Sequence, residues 1–146
     1  MDEKTLVLWT SDNGAPRRNP HQGSNLPLGG WGYTTAEGGM RVPASIRWPS
    51  SIPAASTSDE LSSLMDLLPT FAQLAGAKLP AHKIDGKNIW PLWSQLNNKT
   101  PHKFFYYYHT QYLEDVRDAR WKLYLTHTPD RPVRKGTKLR QQPVLY

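Results

Sequence analysis

Between residues 15 and 39 three prolines (Pro16, Pro20, Pro27) and six glycines (Gly23, Gly29, Gly30, Gly32, Gly38, Gly39) interrupt the chain. That density of breakers excludes a helix or a central strand there. The segment has to be a long loop, and long loops inside compact domains are uncommon and usually functional. Immediately before it, Thr5-Leu6-Val7-Leu8-Trp9 is a short apolar, β-favouring run that stops at Thr10-Ser11-Asp12-Asn13-Gly14, the pattern of a buried strand ending in a polar turn. Oxygen-bearing side chains therefore collect at the C-terminal end of a strand, where the loop begins.

Downstream the pattern alternates between strand and helix. Val42 to Trp48 reads as a second strand closed by Pro49, and Ser50 to Ser58 is a Pro/Ser connection. Asp66 is the expected N-cap of a helix running Leu67-Leu68-Pro69-Thr70-Phe71-Ala72-Gln73-Leu74-Ala75, with Gly76 where a left-handed C-cap belongs. A shorter helix is predicted over Asn88 to Leu96, with Ile89, Leu92, Trp93 and Leu96 at helical spacing. From Lys103 the character changes. Phe104 to Tyr108 is strongly β-prone, and Val116-Arg117, a turn at Asp118-Ala119 and Arg120 to Leu125 read as a hairpin. A basic, Pro-containing loop over 126–142 follows, and Pro143-Val144-Leu145-Tyr146 opens one more strand. The expected architecture is α/β: a sheet-and-helix part over residues 1–100 and a small antiparallel β subdomain over residues 101–146. The first strand starts almost at residue 1 with no partner before it, so we expect the chain to be cut from something longer.

The 146 residues include no cysteine, which removes disulfides, thiolate metal sites and a cysteine nucleophile from consideration. A chain of this length buries roughly two-thirds of the surface its unfolded form exposes. With 13 Pro, 6 Trp and 7 Tyr, loops and aromatic packing are expected rather than disorder. No apolar stretch approaches the roughly 20 residues of a membrane span, and Met1-Asp2-Glu3-Lys4 is no signal peptide start. The formal charge of +6 is uneven: residues 101–146 hold nine Lys/Arg and four Asp/Glu. With the aromatic run 104–108 this resembles a face for single-stranded nucleic acid, but alternation in a small sheet buries one set of those rings.

Asp12 and Asn13 are adjacent oxygen donors of the kind a hard cation such as Ca²⁺ takes, although Asp-Asn-Gly is also an ordinary turn and calcium needs six to eight oxygens. Arg17, Arg18 and His21 follow the turn, either meeting an acidic substrate or staying solvated. Trp31 and Tyr33 either line a substrate pocket or pack against the neighbouring glycines. A Glu37/Arg41 pair is expected to pin the loop back on the sheet, since an arginine fork suits a carboxylate. His82, His102, His109 and His127 show no ligand spacing and are expected to serve surface or packing. Asn98-Lys99-Thr100 is a glycosylation sequon, a triplet common by chance.

Taken in order, Asp12-Asn13-Gly14, Gly23-Ser24-Asn25, Pro27-Leu28, Thr34-Thr35, Glu37-Gly38-Gly39-Met40-Arg41-Val42-Pro43 and Arg47-Trp48-Pro49 have the spacing of type I sulfatases of the alkaline phosphatase superfamily. Ser58-Asp59-Glu60, Met65 to Thr70, Leu74-Ala75-Gly76, Ile84-Asp85-Gly86, Val116-Arg117-Asp118, Arg120 to Leu123 and Leu145-Tyr146 extend the likeness over nearly the whole length. The chain resembles the later, C-terminal part of such a protein. The resemblance implies a formylglycine hydrate that attacks the sulfur of a sulfate ester, and a divalent cation, usually Ca²⁺ with Mg²⁺ as another choice, that offsets the sulfate charge. It assigns Asp12 and Asn13 to the family's second pair of metal ligands. Arg17, His21, Trp31 and Tyr33 are the candidate substrate contacts, and the substrate class is a sulfated small molecule or carbohydrate.

The modified nucleophile is missing, because the sequence has neither Cys nor Ser-x-Pro-x-Arg, and the first acidic ligand pair lies upstream in the family. Where the family often carries a sulfate-binding lysine, this chain has Gly32. The expectation is a part that needs the missing N-terminal portion as its partner and does not turn over alone. Two alternatives stand beside it: a phosphate or phosphonate ester hydrolase of the same superfamily, and a non-catalytic module for nucleic acid or sulfated polysaccharide. Family members are often exported, and the sequence leaves the compartment open.

Overall fold

A computed structural model describes residues 3–20, 22–95, 98–125 and 141–146. The chain divides into two compact units, Met1–Asp12 with Pro43–Lys103, and Asn13–Val42 with Phe104–Tyr146. Among the described residues no helix is long and apolar enough to cross a membrane.

In the first unit, β1 (Val7–Thr10) pairs antiparallel with β2 (Ala44–Arg47), Leu8 opposite Ile46 and Thr10 opposite Ala44. The expectation of a buried strand is corrected: β1 is half-buried, and Trp9 is 62 % exposed. Its only strand neighbour among the described residues is β2, so one edge and the Trp9 face stay open. A 3-10 turn over Leu64–Asp66 leads into α2, Leu67–Leu74 in chain order after the short α1 (Glu37–Met40) of the other unit. Pro69 sits early in α2, where a missing N–H costs nothing, and Gly76 takes the left-handed φ of +67° expected of a terminating glycine. α3 is shorter than predicted, Trp90–Ser94, because Asn88 turns its Oδ1 to the N–H of Trp90 (3.0 Å) and Pro91 occupies the first turn. Leu96, the expected last helical residue, lies outside the described residues.

Asp66 departs from its expected role. It precedes α2 with helical dihedrals and makes no forward cap; its carboxylate turns back instead. It accepts from the N–H of Ser63 (2.8 Å), the N–H of Lys87 (2.8 Å) and Nε2 of His102 (2.8 and 2.9 Å). Ser63 reciprocates as the cap, accepting from the Met65 N–H, the reciprocal arrangement of a capping box. Thr70 donates to the Asp66 carbonyl (2.6 Å) and accepts from Ile89 (3.0 Å). The fully buried Asp66 thus gathers the 3-10 turn, the approach to α3 and His102 onto one carboxylate. Packing of Trp48 on Trp90 (centroids 5.4 Å) and Phe71 on Trp93 (6.1 Å) surrounds this hub with apolar area.

The second unit carries a four-stranded antiparallel sheet in the order β3-β4-β5-β6: Phe105–His109, Tyr112–Arg117, Lys122–Tyr124 and Val144–Leu145. The hairpin joining β4 to β5 forms at Asp118 as expected. Its Oδ1 accepts from the N–H groups of Arg120 (2.7 Å) and Trp121 (2.6 Å), which is how an aspartate makes a turn. The β3-β4 hairpin was not visible in the sequence, because its tight turn places Thr110, not Gly or Asn, at a φ of +54°. The aromatic run alternates as argued, Tyr107 buried while Tyr106 and Tyr108 are 52 % and 56 % exposed. Most of the expected basic loop, residues 126–140 with His127, lies outside the described residues.

The substitution Asp66→Asn keeps shape but turns one acceptor into an NH₂ donor facing donors. With several buried groups left unsatisfied, we expect a loss of about 3 kcal/mol in a denaturant titration; a change within 0.5 kcal/mol, the size of an ordinary surface substitution, would contradict the hub.

Candidate metal and substrate site

The segment from Asn13 to Val42 is held by its own backbone. The Gly14 N–H donates to the Gly39 carbonyl (3.0 Å), Gly32 to Ala15 (2.9 Å) and Gly38 to Gly29 (2.7 Å). Asn25 clamps the middle: its Oδ1 accepts from Ala15 (2.6 Å), and its Nδ2 donates to the carbonyls of Ala15 (2.9 Å) and Gly30 (3.2 Å). Several glycines of the segment have no room for a side chain, Gly14 and Gly32 among them. A Cβ on Gly14 would overlap the Gly38 carbonyl, and one on Gly32 would overlap the Gly14 carbonyl and stand 3.1 Å from Asn13 Oδ1. The glycine density that marked this segment as a long loop therefore serves a close-packed backbone crossing. Gly38 and Gly39 lie inside α1, which the breaker count had excluded from helix.

The loop is fixed to the sheet of its own unit by charge. Glu37, in the first turn of α1, accepts from Arg117 Nη1 (3.0 Å) through Oε2 and from Lys122 Nζ (3.2 Å) through Oε1. Lys122, on β5, also donates to the Thr35 carbonyl, lies 3.8 Å from Asp115 Oδ2 and sits 3.9 Å above the centre of the Tyr107 ring. Thr35 adds a hydroxyl bond to Glu114 Oε2 (2.8 Å). Burial pushes the Glu37 carboxyl upward, but the charges and hydrogen bonds of Lys122 and Arg117 outweigh it and hold it below the usual glutamate range. Burial draws the Lys122 ammonium below its ordinary range against the pull of Glu37 and Asp115, and burial raises the Tyr107 hydroxyl. The expected Glu37/Arg41 pair is thereby corrected: Arg41 meets Glu37 only through its backbone N–H (2.7 Å), and its side chain is exposed. The pin exists, with partners about 80 residues downstream.

The candidate residues fall as follows. Asp12 is exposed, with Ser11 Oγ 3.5 Å from its Oδ1. Asn13 is half-buried, and its Oδ1 lies over Gly32, between Trp31 and Tyr33 in sequence. Trp31 is half-buried and closes a turn, its carbonyl accepting from the N–H (3.2 Å) and hydroxyl (2.6 Å) of Thr34. Tyr33 is 59 % exposed at a φ of +69°. The structure thus brings Asn13 to the 31–33 turn. Arg17 is exposed, and among the described residues its side chain has no hydrogen bond or ion pair. His21 lies outside the described residues. His102 is no surface histidine but a buried partner of Asp66, and no three His, Cys, Asp or Glu side chains among the described residues stand close enough to hold a metal ion.

A family model described as sulfatase matches residues 1–77. The chain belongs to the sulfatase family. It is 39 % identical over 135 residues to the steryl-sulfatase of Mus musculus, covering 85 % of this chain and 22 % of that protein. The crystal structure of the sulfatase PsFucS1 from Pseudoalteromonas sp. superposes with a TM-score of 0.84 at 27 % identity, over 99 % of this chain and 30 % of that one. A structure solved in complex with its substrate D-glucosamine-2-N,6-O-disulfate superposes with a TM-score of 0.65 at 26 % identity, over 97 % of this chain and 27 % of that one. The chain thus spans only a C-terminal-like portion of its sulfatase relatives, and its mixed helices and antiparallel sheets agree with the sulfatase fold.

Sequence reasoning missed Asn25, Lys122 and Arg117 as the residues that hold the sulfatase loop. One signal was present: strict alternation in Trp121-Lys122-Leu123-Tyr124 puts Lys122 on the face of Tyr124, both buried, and a buried lysine demands a carboxylate. The Glu37 shift has a pH consequence. A carboxyl whose pKa is depressed by folding adds stability that is complete above the unfolded value and is lost as pH falls through the folded one. Thermal unfolding followed from neutral pH into acid should therefore fall more steeply in the wild-type chain than in Glu37→Gln; parallel acid limbs would contradict the assignment.

Proposed function

We propose that this chain is part of a sulfuric ester hydrolase and supplies half of its divalent cation site through the side-chain oxygens of Asp12 and Asn13. The observation that carries the reading is the sulfatase match over residues 1–77, within which a carboxylate and an amide oxygen stand side by side after a strand. Both donors are hard oxygens of the type Ca²⁺ and Mg²⁺ take. Asn13 Oδ1 lies 3.1 Å from where a side chain on Gly32 would begin, so a glycine at 32 keeps that space clear of a Cβ. When bound, the cation supplies charge stabilisation at the sulfate and orients it. The task of this chain's own residues is to offer two hard side-chain oxygens in succession after the strand.

The substrate is a sulfated small molecule or carbohydrate, as in the relative solved with a disulfated glucosamine. Arg17 and His21 would meet its negative charge, with Trp31 and Tyr33 supplying aromatic surface beside Asn13. Gly32 has no room for a lysine in this backbone, so the cationic contact at that position is dispensed with or comes from another residue. The nucleophile has to come from an N-terminal portion carrying Cys-x-Pro-x-Arg or Ser-x-Pro-x-Arg.

The test is hydrolysis of an aryl sulfate by the 146-residue chain alone and joined to such an N-terminal portion. We expect background rates alone and turnover when joined. In the joined protein, Asp12→Ala should lower kcat/KM by more than about 100-fold, since loss of a ligand exceeds the 10–100-fold effect of outer-shell changes. Clear turnover by the chain alone, or an Asp12→Ala variant that keeps its activity, would defeat the reading.

A further inference from the structure

The cluster formed by Glu37, Lys122, Arg117, Asp115 and Tyr107 includes neither a candidate ligand nor a candidate substrate contact, yet it contains the most deeply buried charges of the second unit. Lys122 is 4 % exposed and Asp115 fully buried. Burying charge is expensive, and replacing such a group by an apolar one is often neutral or stabilising. A cluster of this kind on a small sheet needs a reason other than stability.

The geometry supplies one. The carboxylate of Glu37 is carried by the same short helical turn that contains Gly38 and Gly39. The Gly39 carbonyl receives the Gly14 N–H at 3.0 Å, and the Gly38 carbonyl lies where a Gly14 side chain would be. Gly14 is the residue next to Asn13. From Lys122 and Arg117 through the Glu37 carboxylate, the α1 backbone and the Gly14 amide, an unbroken series of hydrogen bonds and covalent steps therefore ends at the peptide unit that orients Asn13. The Lys122 bond to the Thr35 carbonyl braces the same turn from its other side. Each link is directional, so where Glu37 is held bears on where the Asn13–Gly14 peptide unit sits.

We propose that Lys122 and Arg117 are positioning residues for the cation: they fix Glu37, and through it the ligand turn, so that Asn13 Oδ1 is presented in a single orientation. The inference rests on the reading of Asn13 as a ligand. Arg117 and Lys122 touch neither the cation nor the substrate, and their effect is on the affinity with which Asn13 can take part in binding. Groups that orient a ligand typically change metal affinity 10–100-fold when removed.

The test is a Ca²⁺ titration of the 146-residue chain joined to an N-terminal portion that supplies the other ligand pair, wild type and variants alike, followed by the NMR signal of the Asn13 side-chain amide and the Gly14 backbone amide. The variants are Lys122→Met, Arg117→Gln and Thr70→Ala. Arg117→Gln keeps Lys122 and its buried carboxylate together, so it reports even where Lys122→Met fails to fold. Thr70→Ala removes two hydrogen bonds in the other unit and controls for lost stability alone. We expect wild type and Thr70→Ala to reach half-saturation at the same Ca²⁺ concentration and Arg117→Gln to need about 10-fold more, with the Asn13 signal broadened or split before any Ca²⁺ is added. Arg117→Gln with wild-type half-saturation and an unaltered Asn13 signal would overturn the positioning role while leaving the ligand assignment standing. A wild-type chain whose Asn13 and Gly14 signals do not move at any Ca²⁺ concentration would overturn the ligand assignment and this inference with it.

Discussion

The Glu37 carboxylate is the point on which the second unit turns. A loop with so many glycines and prolines has little side-chain area to bury, so its order cannot come from an apolar core. It comes from backbone packed against backbone and from one carboxylate gripped by two cations of the small sheet. Net hydrogen bonds between neutral groups stabilise by only about 1 kcal/mol each, and charged ones by more. The ion cluster is therefore the strongest single tether available to a segment of this composition.

The first unit solves a similar problem with the same chemistry. Asp66 gathers Ser63, Lys87 and His102, three segments that have few apolar contacts with each other. Both units of this portion of a sulfatase are built around a buried or half-buried carboxylate that several loops share, with aromatic packing around it. That explains how a chain with 38 % hydrophobic residues reaches an ordered fold. Local order is bought from polar networks, whose partners must all be present.

What the sequence revealed follows from the range of the forces involved. β2, α2 with its glycine stop, and the Asp118 turn were legible because each is set within a few residues by periodicity, a cap or an Asx bond. The sulfatase likeness was legible from ordered motifs. The Glu37 partnership was misread because Arg41 is near in sequence and Arg117 and Lys122 are not; spacing carries no information about contacts made 80 or 85 residues away. Asp66 was misread for a related reason. An aspartate before a helix ordinarily caps it, but here three donors from elsewhere competed for the carboxylate and won. Of the candidate site, the structure brings Asn13 Oδ1 over Gly32, which no periodicity predicts.

The central claim is that the loop bearing the candidate ligands owes its order to Glu37. Amide hydrogen exchange measures this most directly, because Gly14, Gly32 and Gly38 donate to defined carbonyls inside the loop. In Glu37→Gln these three amides should exchange about tenfold faster or more than in the wild type, while the Leu92 and Ala75 amides of the other unit keep their rates. Unchanged protection at Gly14, Gly32 and Gly38 would contradict the account.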